Sequence, residues 1–168
     1  MGEEWKHASL ASNIGKWAWI IGILNGIIGI IVGIARIGAA LTLSATWSWL
    51  GIGPIISWFD IWTIIWGIVL IIISFLVIKP KFSARCAEMD WDALYGWVLN
   101  LGNFRLPWML FWGIFFEIFG WYGWGGLAIL IPALLLLFAG PKEFQWSTET
   151  KPVKKKPAKA KPAEEQIE

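Results

Sequence analysis

The chain has one cysteine and one histidine in 168 residues. With Cys86 alone, no intramolecular disulfide can staple the fold. His7, the one histidine, sits in the N-terminal segment, away from the apolar bulk of the chain. No HExxH, CxxC or GxSxG occurs, and no glycine loop of the phosphate-binding kind. Gly123-Trp124-Gly125-Gly126 reads as a turn, because no strand pattern leads into it. Catalytic residues, metals and cofactors are therefore not expected. Charge is scarce as well: only 15% of residues carry one, and Trp17 to Ala35 is a run of nineteen without any.

Apolar side chains fill the space these absences leave. The chain is 57% hydrophobic, with a mean hydropathy of +0.61. A water-soluble domain of that composition would expose large apolar patches and aggregate, so lipid is the expected solvent for most of the chain. Most of the fifteen tryptophans fall near the ends of apolar runs, where amphipathic rings favour the headgroup level.

Trp17–Ala35 is about the length that crosses a bilayer as a helix. Taking about 100° per residue, Gly15, Ala18, Gly22, Gly26, Gly29, Gly33 and Ala40 fall within roughly 40° of one line. Such a small-residue stripe lets another helix approach backbone to backbone. Lys6, Lys16 and the small residues Gly38-Ala39-Ala40 share features with a secretion signal, but the apolar run is too long for one, so the stretch is read as a retained span.

The expected fold is an all-α integral membrane protein, a four-transmembrane-helix bundle over residues 16–141. Its spans are about 17–36, 55–78, 106–121 and 125–140. Residues 1–15 form a short frayed end, 37–53 an uncharged loop, and Lys79-Pro80 stops the second span. Trp91, Leu94, Tyr95, Val98 and Leu101 recur at helical spacing, which predicts an interfacial amphipathic helix over about 91–104, or the first part of one long kinked span. Residues 142–168, rich in lysine and proline, are expected to be a disordered tail.

Basic residues orient this bundle. Of the 14 lysines and arginines, Arg36 alone falls outside the segments 1–16, 79–105 and 142–168, which four spans place on one side. The positive-inside rule puts that side, with both termini, in the cytoplasm of a cell membrane. Lys154, Lys155 and Lys156 then lie where anionic headgroups attract them, each contributing about 1 kcal/mol near the surface. No aromatic residue is interleaved with these lysines and Glu164, Glu165 and Glu168 follow, so nucleic acid is not an expected partner.

Small residues also mark the later spans, at Gly67 and Gly113, while Trp58, Trp62 and Trp66 occupy the opposite face of theirs. Arg36, Asp60 and Glu117 form a possible intramembrane polar cluster, with Asn25 mid-span. A carboxylate within a membrane marks an ion or substrate path, or it is neutralised by a structural partner such as Arg36. Asn25 suits an interhelical hydrogen bond. The leading reading is a non-enzymatic scaffold, accessory subunit or membrane-organising component that joins further copies or a membrane-protein partner. The alternative is a small homo-oligomeric ion- or proton-coupled transporter or channel using Asp60 and Glu117.

Overall fold

The computed structural model describes residues 5–51, 56–120 and 124–148. Helix α1 (Ala8–Gly15) leads into α2 (Ala18–Trp47) with a break only at Lys16 and Trp17, and a 3-10 turn (Ser48–Leu50) closes the run. Helix α3 (Trp58–Ile73) continues as a π-helical segment (Ser74–Ser83) into α4 (Ala84–Ala87). These two runs, Ala8–Leu50 with 43 residues and Trp58–Ala87 with 30, are each long and apolar enough to cross a membrane.

The small-residue stripe of α2 is where they meet. A Cβ on Gly26 would stand 2.5 Å from the Gly67 carbonyl oxygen, and one on Gly67 would stand 2.6 Å from that of Gly26. Gly22 lies against Ser74 and Phe116, Gly33 against Ile64 and the Asp60 carbonyl, and Gly15 against Cys86. Gly29 has more room, its nearest neighbour being the Thr63 carbonyl at 3.7 Å from a built Cβ. Beyond Gly33 the buried face of α2 ends. The expected loop at 37–53 is helical as far as Leu50. The hydroxyls of Thr42, Ser44, Thr46 and Ser48 donate to carbonyls of their own helix, so the polar groups there need no water.

The stop expected at Lys79-Pro80 does not occur. Pro80 has no N–H for the Leu76 carbonyl and crowds it in an α-helix. The i→i−5 pattern of the π segment, seen where the Ala84 N–H donates to the Lys79 carbonyl, moves each carbonyl's donor one residue on and so admits the proline. It also holds a face in line. Leu70, Ser74, Ile78, Phe82 and Cys86 are all buried at a spacing of four, which an α-helix would carry about 40° further round at each step.

Basic residues frame a layer at this end of the long helices. The expected frayed N-terminus is α1, which packs on α4 and on α7 (Leu127–Ala139) and buries Ala11, Ser12 and Gly15. The helix expected over 91–104 is only α5 (Trp91–Gly96), whose first turn Asp90 caps by accepting from the Ala93 N–H at 3.1 Å. An antiparallel hairpin follows, β1 (Val98–Leu101) with β2 (Phe104–Pro107), in the register Leu101↔Phe104. Gly102, with φ +60°, takes the first position of its two-residue turn, the type II′ arrangement that glycine permits. Helix α6 (Trp108–Phe119) then starts from the hairpin, the Trp108 N–H donating to the Trp97 carbonyl.

After α7 the chain returns to this layer. The expected tail is ordered over 142–148: Phe144 is buried, and the backbone of Trp146 and Thr148 bonds to Arg105 and Asn103 on the hairpin. Lys154, Lys155 and Lys156 lie outside the described residues, as does the turn at 121–123. The largest fully buried side chains, among them Phe82, Phe116, Leu94, Met109 and Leu136, join the basic-end layer to the adjoining halves of the helices.

Candidate functional site

The polar residues singled out in the sequence fall into three places. Asp60 caps its own helix. Its Oδ2 accepts from the Ser57 N–H at 3.3 Å, the Ser57 Oγ accepts from the Phe59 N–H at 3.2 Å, and together they close a capping box at the start of α3. Its other oxygen, Oδ1, lies 3.8 Å from Nη1 of Arg36. Asp60 is only 8% exposed, whereas the Arg36 side chain is 46% exposed. The pair is long and half-solvated, a geometry contributing about 0–1 kcal/mol.

Glu117, on α6, caps a different helix. Its Oε2 accepts from the Gly126 N–H at 3.2 Å, at the N-cap of α7, where a carboxylate meets the positive end of the helix dipole. Asn25, completely buried on α2, lies against the two ends of the α6–α7 turn. A Cβ on Gly120 would stand 2.9 Å from its Oδ1, and one on Gly125 would stand 2.9 Å from its Cγ.

Beside Asn25 opens a cleft of about 210 Å³ between α2, α3 and α6. Trp62, Thr63, Trp66, Phe119 and Gly120 line it along with Asn25. The tryptophan ladder of α3 leads into this cleft rather than keeping to one outer face. Trp58 is 70% exposed, Trp62 less so, and Trp66 stacks on Phe119 with centroids 4.0 Å apart. A four-residue spacing turns about 40° per step, enough to carry the third indole into the α3–α6 contact. The Trp66 Nε1 is buried there with no acceptor among the described residues. Its role was hidden in the sequence because the partner rings, Phe115 and Phe119, lie on another helix.

Tyr95 organises a further polar cluster at the basic end. Its hydroxyl is shared between the carbonyls of Leu136 at 2.7 Å and Lys142 at 2.8 Å, and the Trp5 Nε1 donates to the Ala139 carbonyl. These donors serve carbonyls that the end of α7 leaves open. Lys142 binds Asp92 at 2.6 Å, and that hydrogen bond and charge hold its ammonium above its usual pKa. Burial raises the Tyr95 phenol, against an opposing pull from the Lys142 carbonyl hydrogen bond and charge. Arg85 joins Asp90 at 2.9 Å and Glu88 at 3.6 Å.

Among the described residues no three His, Cys, Asp or Glu side chains gather to hold a metal. What these groups do chemically is neutralise helix ends and join helices. No family model, curated protein or solved structure matches the chain.

Proposed function

We propose that the chain is a non-enzymatic multi-pass membrane protein that works as a scaffold, accessory subunit or membrane-organising component. In this reading the four apolar helices form one bundle in a cell membrane, with both termini cytoplasmic and the basic end against anionic headgroups. Only 33% and 22% of the most apolar windows of the two long helices are buried, whereas the core helix of a soluble protein is mostly buried. Exposed isoleucine, leucine and phenylalanine side chains cover the remaining faces, as a hydrocarbon solvent favours.

The observation that carries the non-enzymatic reading is the state of the two carboxylates. Asp60 caps α3 and faces Arg36, and Glu117 caps α7, so each supports a helix end. A homo-oligomeric transporter or channel would instead need one of them to gain and lose protons or ions. The comparison that decides is thermal stability in detergent for Asp60→Asn, Arg36→Gln and the double variant, beside proton and cation flux in liposomes. Each single change is expected to lower stability and the double change to cost less than the two summed, by up to about 1 kcal/mol, the coupling of a half-solvated pair. Wild-type liposomes are expected to show no flux. Flux in wild type that disappears in a stable Asp60→Asn or Glu117→Gln protein would establish the transporter instead.

A further inference from the structure

We infer that α6 and α7 form a re-entrant hairpin, entering the membrane from the basic side and turning back at about mid-depth without crossing it. The inference rests on the membrane reading above and concerns how far this pair reaches.

Contacts along α2 give the depth of each neighbour. Near its start, the Trp19 N–H donates to Ser83 Oγ and the Lys79 ammonium lies 4.6 Å from the Trp19 ring, which places this level at the basic end. One to two turns on, Gly22 meets Ser74 and Phe116, and then Asn25 meets Gly120 and Gly125. The helix pair α2–α3 continues beyond that point, through Gly26 against Gly67 to Gly33 against Asp60. Asn25 is the ninth residue of the nineteen in Trp17–Ala35. The tip of the hairpin therefore lies beside the middle of the uncharged stretch, with Arg36 about 16 Å further along α2.

Both feet of the hairpin stand in the basic-end layer. Trp108 is bonded to Trp97 and shares a groove with Lys81, while the end of α7 is held by Trp5 and Tyr95. The lengths agree with partial entry. Twelve residues in α6 and thirteen in α7 rise about 18 and 20 Å, against a hydrocarbon core of about 30 Å.

Turning inside hydrocarbon leaves backbone polar groups without water, which is tolerated only where protein covers them. The chain supplies such cover at the two described ends of the turn. Asn25 is the one strongly polar residue in its span, and its amide is buried against both ends of the turn. Glu117 takes up the Gly126 N–H at the start of the returning helix. Asn25 and Glu117 are thus positioning residues for a break at mid-membrane.

The test uses full-length protein in liposomes, with buried Cys86 left in place and single cysteines introduced as Ala45→Cys, Gln145→Cys, Trp124→Cys and, as a second tip position, Leu127→Cys. Trp124 and Leu127 are exposed side chains, so neither change strains the fold. Ala45→Cys and Gln145→Cys are expected to react with an impermeant maleimide from opposite faces. Trp124→Cys and Leu127→Cys are expected to react at least tenfold more slowly than Ala45→Cys from its face. Spin labels at both tip positions should meet oxygen more often than a water-soluble nickel chelate. Tip cysteines that react at the Ala45→Cys rate, with labels open to the nickel chelate, would show that the hairpin crosses. Reaction of Ala45→Cys and Gln145→Cys from one face would instead overturn the membrane topology itself.

Discussion

A single carbonyl oxygen separates the glycines that matter from those that merely fit. Gly26 and Gly67 face each other's backbone, which cannot rotate away as a side chain can. Gly26→Ala is expected to destabilise the protein by about 1–3 kcal/mol or more through overpacking. Gly29→Ala, whose added methyl would make only ordinary van der Waals contacts with Thr63 and Gly67, is expected to fall within about 0.5 kcal/mol of wild type, helped by alanine's better helix propensity. Thermal unfolding of the two variants in one detergent checks this, and equal losses would refute the Gly26–Gly67 contact. The stripe itself was legible in the sequence, because glycines at helical spacing need no partner to be seen. The ranking within it was not, since Gly26 and Gly29 differ only in what stands opposite.

Among the elements, the long helices were the most legible and the basic-end layer the least. Trp17–Ala35 announces a helix by composition alone, whereas α1 takes its place from packing against α7, distant in sequence. Trp91, Leu94, Tyr95, Val98 and Leu101 do fit a helical wheel, but Gly102-Asn103 between two apolar stretches is also a hairpin turn, and the second signal prevailed. Pro80 misled for a different reason: a proline ends an α-helix, while a π segment admits it. Tyr95 ties α5 to the end of α7, and Lys142 with Asp92 secures the same junction. Both groups hold their protons more tightly in the folded protein than unfolded. Their contribution is therefore complete below the unfolded values near pH 10 and is lost as pH rises through the folded ones. Melting temperature is expected to be level from about pH 7 to 8, to fall from about pH 9 as the Cys86 thiol, which burial pushes up to about 12, loses its share, and to fall further above about pH 10 as Tyr95 and Lys142 do. Tyr95→Phe should cost about 1 kcal/mol at pH 7, by removing a hydrogen bond, and should flatten that alkaline fall. An alkaline fall of unchanged steepness in Tyr95→Phe would assign it elsewhere.

For the whole molecule, the lopsided placement of lysine and arginine is the feature on which the proposed orientation rests. A reporter fused after Glu168 is expected to be active only when cytoplasmic, and Ala45→Cys to be labelled only from outside; the reverse pattern would invert the proposed topology. The candidate polar cluster was half legible. Arg36 and Asp60 do meet, as their positions at facing helix ends suggested, but Glu117 serves the start of α7. That assignment depends on where the α6–α7 turn lies, which spacing alone does not reveal.

A hairpin that reaches only half-way, as proposed, would also give the protein a wedge-shaped cross-section. Four helices would then share the near leaflet beneath the basic-end layer, with only the α2–α3 pair continuing into the far one. Such a wedge takes up more area on its broad side, so it is better accommodated where the near leaflet lies on the convex side of a bent membrane. Reconstituted with the basic end outward, the protein is expected to concentrate on vesicles of small diameter over large ones, and with the basic end inward to avoid them. Equal density on vesicles of every diameter, in both orientations, would mean that the missing half of the hairpin is filled by something as broad as the half that is there.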